Sequence, residues 1–322
     1  MPGNVIGGHT GELSEDSVRT SIDGVMYERF DRDEQPQYLS ADDAMFFRQG
    51  STVGVSFIYD EDSNVGECQE TGEQEEILKT DTFIGNKTTV DSQKYTKLIP
   101  ISDEAFQADM VGKRAEIGRQ VGDRARQTRD RKAILNTYAD AFAGSVFTTP
   151  DGQALASNSH TTLKGFTVDN LETGSLTPDN LYTSVTTLAE QEAQDGDAGS
   201  HLYTGNLVPF TLYKTAKEVQ NSSLIANSAE NNLNIFDTDY GQVQIRSTIF
   251  LGSKYNSATN ANTSYHLIGE NHQIQRKVFY GLSTDLIPRI YSGNDTHQHL
   301  SRFHEITFPG TWTGYVGSNG TT

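Results

Sequence analysis

Residues Ser102–Gly144 run SDEAFQADMV GKRAEIGRQV GDRARQTRDR KAILNTYADA FAG. Phe106, Met110, Ile117, Val121, Ala125, Ile134, Tyr138 and Phe142 recur in this stretch mostly at intervals of four or seven. That is the apolar stripe of a helix packed on one side. Ser102, Asp103 and Glu104 offer the oxygen acceptors and negative charge that a helix start favours. Pro100 marks a break before it, and Gly144 and Pro150 end it. At roughly 1.5 Å per residue, an unbroken helix here spans about 60 Å, twice the width of a small domain. A chain that invests in such a beam builds something large. Gly112, Gly118 and Gly122 each cost about 1 kcal/mol against Ala. The apolar-poor run Arg126–Lys132 predicts a kink or an exposed turn.

Upstream, residues 1–40 are Gly-rich, charged and poor in periodicity, the pattern of an extended arm ordered by its neighbours. A short helix is expected over Ser40–Phe47. Val53, Val55, Phe57 and Tyr59 alternate as a strand. Asp60, Glu61, Asp62, Glu67, Glu70, Glu73, Glu75 and Glu76 then crowd into an apolar-poor tip. The flanks Ser51–Tyr59 and Thr89–Ile101 both have strand character, so the pair predicts a long two-stranded excursion with an acidic end. Such an excursion is barely stable alone and needs a surface to lie on.

Downstream, Asp151-Gly152 opens a loop. Thr177-Pro178-Asp179 is an N-cap, a first-turn proline and an acid, followed by Leu181, Val185 and Leu188 at helical spacing and closed by Asp195-Gly196. A strand is expected at Leu202-Tyr203. A helix opens at Pro209 with Leu212, Tyr213, Ala216 and Val219 on one face. Strands follow at Val243–Ile249, Tyr265–Ile268 and Val278–Tyr280, and Leu286–Tyr315 is mostly β. The fold class is α+β.

The 322 residues carry 43 acids and 25 bases, a net charge of −18. Residues 1–100 hold 20 acids and 8 bases, a net of −12. That balance argues against a nucleic-acid binder or an anionic-membrane binder. It fits a protein kept soluble at high concentration or in salty surroundings. The single cysteine, Cys68, excludes an internal disulfide, and acidic neighbours dull it as a nucleophile. No signal peptide and no apolar run of membrane-spanning length is expected.

Lys113, Arg114, Arg119, Arg124, Arg126, Arg129, Arg131 and Lys132 concentrate eight of the bases. They make a solvated helix face, a DNA contact, or a contact with the acidic loop of an adjacent copy. Complementary charge for the last lies at Glu67, Glu70, Glu73, Glu75 and Glu76. His297, His299 and His304, near Asp295 and Glu305, resemble a metal set only in spacing, so surface or interface histidines are expected and no metal. Ser157, Ser159, His160 and Asp151 are adjacent in sequence, which is not triad geometry. No nucleophile elbow, phosphate loop or dinucleotide fingerprint is present. No catalytic residue and no cofactor is expected.

The order of these pieces resembles the major capsid proteins of tailed bacteriophages, most closely the Mu-like major head subunit group. Lys97–Glu104 resembles the family's entry into its spine helix, and Ala133–Asn136 the helix end. Asp151-Gly152-Gln153-Ala154-Leu155-Ala156-Ser157, then Ser159-His160, resembles its Asp-Gly-x-x-Leu-Phe-Ser-x-x-His stretch, with Ala156 in place of the aromatic. Asn170-Leu171, Leu176–Leu181, Leu207-Val208-Pro209 with Ala216, and Phe303, Trp312 and Gly314 continue it in order over roughly residues 45–316.

The resemblance implies an N-terminal arm at 1–50, an extended loop at 51–100 and the spine helix of a peripheral domain at 101–149. It also implies an axial domain at 150–270 and C-terminal strands of the peripheral domain at 271–322. It implies pentamers and hexamers closing into an icosahedral shell around double-stranded DNA, without sequence-specific binding, in a virion assembled in the host cytoplasm. Inter-subunit contacts would fall on the five loop glutamates and on Arg119, Arg124, Arg126, Arg129 and Arg131. A portal, a separate scaffolding protein and a decoration protein are the expected further partners. Lys79 and Lys87 sit where some relatives crosslink. An encapsulin-type compartment shares the fold, but a much shorter arm would favour it. A monomeric β-rich binding module is the reading from another class.

Overall fold

The computed structural model describes residues 15–30, 38–61, 85–102, 113–197, 199, 201–222, 234–240, 243–287 and 296–321. Helices and strands are mixed, and the chain divides into two compact units. One comprises described residues within Met1–Asp33, Ser92–Arg129 and Val278–Glu305; the other comprises those within Glu34–Asp91, Asp130–Lys277 and Ile306–Thr322.

The first unit contains α1 (Glu15–Phe30), β4 (Gln93–Ser102) and most of α2 (Lys113–Asn136). It also holds much of β11 (Ile274–Ile287) and β12 (Thr296–Pro309). β4 is antiparallel to β12, from Thr296↔Ser102 to Glu305↔Gln93, and forms the edge of its sheet. Pro100, lacking an N–H, sits in this edge strand, a place where the missing donor is tolerated. The helix expected from Ser102 is therefore corrected at its start, because Ser102 still belongs to β4. Residues 103–112 lie outside the described ones.

The arm reading of residues 1–40 is also corrected in part. Residues 15–30 are helical, and Met26 and Phe30 are buried within this unit. A Cβ on Gly122 would come within 2.5 Å of the Met26 carbonyl oxygen, so that helical glycine lets α1 cross α2 closely. The apolar-poor run after Arg126 breaks nothing, since α2 continues to Asn136. Arg129 covers the Phe30 ring at 4.5 Å and replaces the missing apolar packing.

The second unit is built on a five-stranded sheet ordered β7-β13-β10-β8-β9. These strands are Leu171–Glu172, Tyr315–Ser318, Tyr265–Gly269, Tyr203–Pro209 and Gln244–Thr248. Side chains alternate between its faces. Leu207, Ile268 and Tyr315 join Ile134, Tyr138, Phe46 and Phe47 on one side. Val208, Leu267, Val316 and Tyr265 join Leu181, Val185, Leu188, Ala216 and Phe236 on the other. The second side is covered by α3 (Pro178–Ala189), α4 (Tyr213–Asn221) and α5 (Ile235–Asp239). Thr177 caps α3 as the sequence predicts, its hydroxyl accepting from the Asn180 N–H, but α3 closes at Glu190 and not at Asp195-Gly196.

The C-terminal end of the long helix also differs from expectation. α2 ends at Asn136, and turns continue to Ala143. The Asp140 carboxylate accepts from the Ser145, Val146 and Phe147 N–H groups, closing the segment into a turn. Ser40–Phe47 forms turns and no helix; the Asp43 carbonyl accepts from Phe46 and Phe47, which are both fully buried.

Candidate assembly surface

The two-stranded excursion exists at its base. β2 (Ser56–Asp60) pairs antiparallel with β3 (Lys87–Asp91), from Ser56↔Asp91 to Asp60↔Lys87. One face is seated: Phe57, Tyr59 and Val90 pack with Phe147, Ile306 and Phe308. Tyr59 meets Phe308 edge-on at 5.4 Å. The opposite face carries Ile58, 66% exposed. The strand expected from Val53 is corrected, because the Thr52 hydroxyl bonds the Gly54 backbone and breaks it, and β1 (Arg48–Ser51) is a separate strand. Val53 is then 100% exposed, and Val55 is exposed too. These apolar positions were missed as site residues. The alternation was visible, but the break that turns Val53 and Val55 away from Phe57 and Tyr59 was not.

At the neck, Glu61 is buried and accepts from the Asn86 amide at 3.1 Å and from Gln194 at 2.7 Å. Burial pushes its carboxyl above the ordinary value against those hydrogen bonds. The expected contact residues Glu67, Glu70, Glu73, Glu75 and Glu76, with Lys79, lie outside the described residues. Lys87 is exposed and pairs with Asp60 at 3.3 Å.

The basic helix does not present one continuous face. Arg119 pairs with Glu116 and Arg124 bonds Gln127, both from exposed or half-exposed positions; Arg131 is exposed. Arg126 and Arg129 are corrected as contact candidates, at 9% and 2% exposed. α2 presents those two positions inward, where Arg129 lies on Phe30. Beside α2 in the same unit runs an apolar groove of about 460 Å³ between Ile99 of β4 and Ile117 and Val121 of the helix.

The sequence-adjacent Ser, His and Asp residues separate into two arrangements. His160 Nδ1 is 2.8 Å from Asp151, and its Nε2 faces the Leu155 carbonyl at 3.3 Å. Ser157 and Ser159 bond each other instead. Trp312 stacks on the His160 ring at 5.2 Å, so the three make a buried pin between the 151–160 loop and the chain before β13 (Tyr315–Ser318). Burial alone would raise the Asp151 carboxyl. The hydrogen bond from His160, with those from Thr149 and Gln153, holds it below the ordinary 3.8.

A depressed folded value means that the ionised form stabilises the fold above the unfolded value, and that this is lost as pH falls. Asp151→Asn is expected to lower stability at pH 7 but to narrow its gap to wild type below about pH 4. Denaturant titrations of both chains at the two pH values check this; a gap that stays constant contradicts it.

The three C-terminal histidines are buried, not at the surface. His299 is 3.1 Å from Asp23 of α1, and His304 faces Ser92. Among the described residues, no three His, Cys, Asp or Glu side chains converge as a metal set.

Residues 86–271 match the profile of the family described as phage capsid protein, more than half of the 322 residues. None of the curated proteins compared with the chain matches it. Among solved structures, the chain is similar in fold to the capsid of Ralstonia phage GP4, at 11% identity and a TM-score of 0.56, over 89% of this chain and 94% of that one. It is similar to the capsid of cyanophage P-SCSP1u at 12% identity and 0.55, over 89% and 90%. The capsid of an empty GTA particle gives 7% and 0.55, over 90% and 92%. The match over more than half of its length, to which this long helix, two-stranded excursion and helix-covered sheet largely belong, places this chain in the phage capsid protein family.

Proposed function

We propose that the chain is the major head subunit of an icosahedral shell. Pentamers and hexamers of it close around double-stranded DNA, and assembly takes place in the host cytoplasm. The arm, loop, spine, axial and C-terminal divisions given above are proposed with it. The observation that carries the reading is the excursion: one face of β2 and β3 is seated on aromatic side chains of its own unit, while Ile58, Val53 and Val55 remain open. In an assembly of identical copies, such a surface is satisfied by a neighbour through a ring-forming contact. The role is structural, without catalytic chemistry or cofactor. A portal, a separate scaffolding protein and a decoration protein are proposed partners on family membership alone.

The basic residues available for a neighbour's acidic loop reduce to Arg119, Arg124 and Arg131. Their joint replacement by Glu is expected to leave the melting temperature of the unassembled chain nearly unchanged, since surface changes typically stay within about 0.5 kcal/mol each. It is expected to abolish particles in sedimentation velocity. Intact particles from that triple variant would remove the charge pairing from this account. Arg129→Glu should instead unfold the chain, because it sets a carboxylate against Phe30.

A further inference from the structure

The second unit holds a polar pocket of about 300 Å³, whose wall residue Gln194 also bonds Glu61 at the neck of the excursion. Arg48 of β1, Gln194 and His201 from the segment before β8, Gln273, and Thr311 and Thr313 before β13 wall it. At about 30 Å³ per water, it has room for a small ion with several waters. Gln194, His201, Gln273, Thr311 and Thr313 are all at most 9% exposed.

Two observations say that the wall is incomplete without an occupant. Among the described residues, neither ring nitrogen of His201 has a hydrogen-bond partner, and neither does Gln194 Oε1. Buried polar atoms in that state carry an uncompensated desolvation penalty. Among the described residues of the wall, Arg48 carries the formal charge. Among the described residues its hydrogen bond is to Gln273 Oε1 at 3.4 Å, and no described carboxylate pairs with it. Glu61 stands behind Gln194 and accepts from its amide at 2.7 Å, outside the wall itself. The unmet hydrogen-bonding positions include both a donor and acceptors, since a neutral imidazole offers one of each.

We propose that this cavity binds a small protonated oxyanion of the hydrogen phosphate class. Its oxygens accept from the Arg48 guanidinium, from the His201 N–H and from the Thr313 hydroxyl. Its own P–OH donates to Gln194 Oε1. Sulfate, which carries no proton near neutral pH, would set an oxygen against that acceptor. The ion would tie β1 to the segments before β8 and β13, all within one unit. This assignment does not depend on shell formation.

Isothermal titration of inorganic phosphate into the full chain, in phosphate-free buffer, tests it. One phosphate per chain is expected, with sulfate at least about tenfold weaker and Arg48→Gln weakened by at least about tenfold, the scale of one charge-assisted hydrogen bond. Phosphate should raise the melting temperature of wild type and not of the variant. If Arg48→Gln does not fold, Thr313→Val takes its place and should weaken binding, since it removes a hydroxyl donor from the wall. The proposal is overturned by a wild type that takes up no phosphate, by phosphate and sulfate binding alike, or by variants that bind as wild type does.

Discussion

Trp312→Ala is expected to destabilise the chain by about 3–5 kcal/mol, the range for removing a large aromatic side chain from a core. Trp312 is fully buried, and its ring stacks on His160, whose Nδ1 is held by Asp151. Truncation leaves a cavity and also lets water reach a charge-assisted hydrogen bond that now sits at 0% and 6% side-chain exposure. Both losses act on the same contact, so they should not add independently. Trp312→Phe, which keeps a stacked ring, should recover much of the loss. Denaturant unfolding followed by far-ultraviolet circular dichroism reads the difference. A cost below about 1 kcal/mol for the alanine variant, the level of an ordinary surface change, would show that the pin is ornamental.

The second large effect belongs to assembly and not to the fold. Val53→Asp with Ile58→Asp is expected to abolish particle formation while moving the stability of the unassembled chain by less than about 1 kcal/mol. Both positions are open to solvent, and Ile58 points away from the Phe308 cluster, so the monomer loses no packing. At a subunit contact, the same carboxylates would have to be buried without partners, which is strongly unfavourable. Sedimentation velocity and thermal melting of the same preparation separate the two effects. Particles of normal size from the double variant would mean that the open face of the excursion is not an interface.

How far these surfaces were legible varies with the physics behind each. The α3 start could be read because its determinants are local: Thr177 supplies the cap and Pro178 the first-turn φ. The excursion is legible as two strands, but the sequence pattern carries β4 into the same excursion. In the structure β3 pairs with β2, while β4 pairs with β12, two hundred residues further on. Strand alternation fixes a face and not a partner. In the sequence α1 reads as an irregular arm because few apolar side chains mark it. Its placement depends on Gly122 of another helix, which no local pattern announces.

The basic run was visible as composition, but which arginines point inward depended on where Phe30 lies. Asp151 and His160 were recognised together as a motif, whereas their role as a brace required Trp312 from the far end of the chain. Arg48 and His201 carried no signal at all. Only the fold brings them to one cavity.

In the proposed shell, identical copies satisfy one another's exposed apolar and charged surfaces. Negative-stain electron microscopy of the wild-type chain, expressed alone and with a candidate scaffolding protein, tests this most directly. Closed particles of uniform diameter built from this subunit are the predicted result. A chain that stays monomeric and dispersed under both conditions, at concentrations where shells should form, would contradict it.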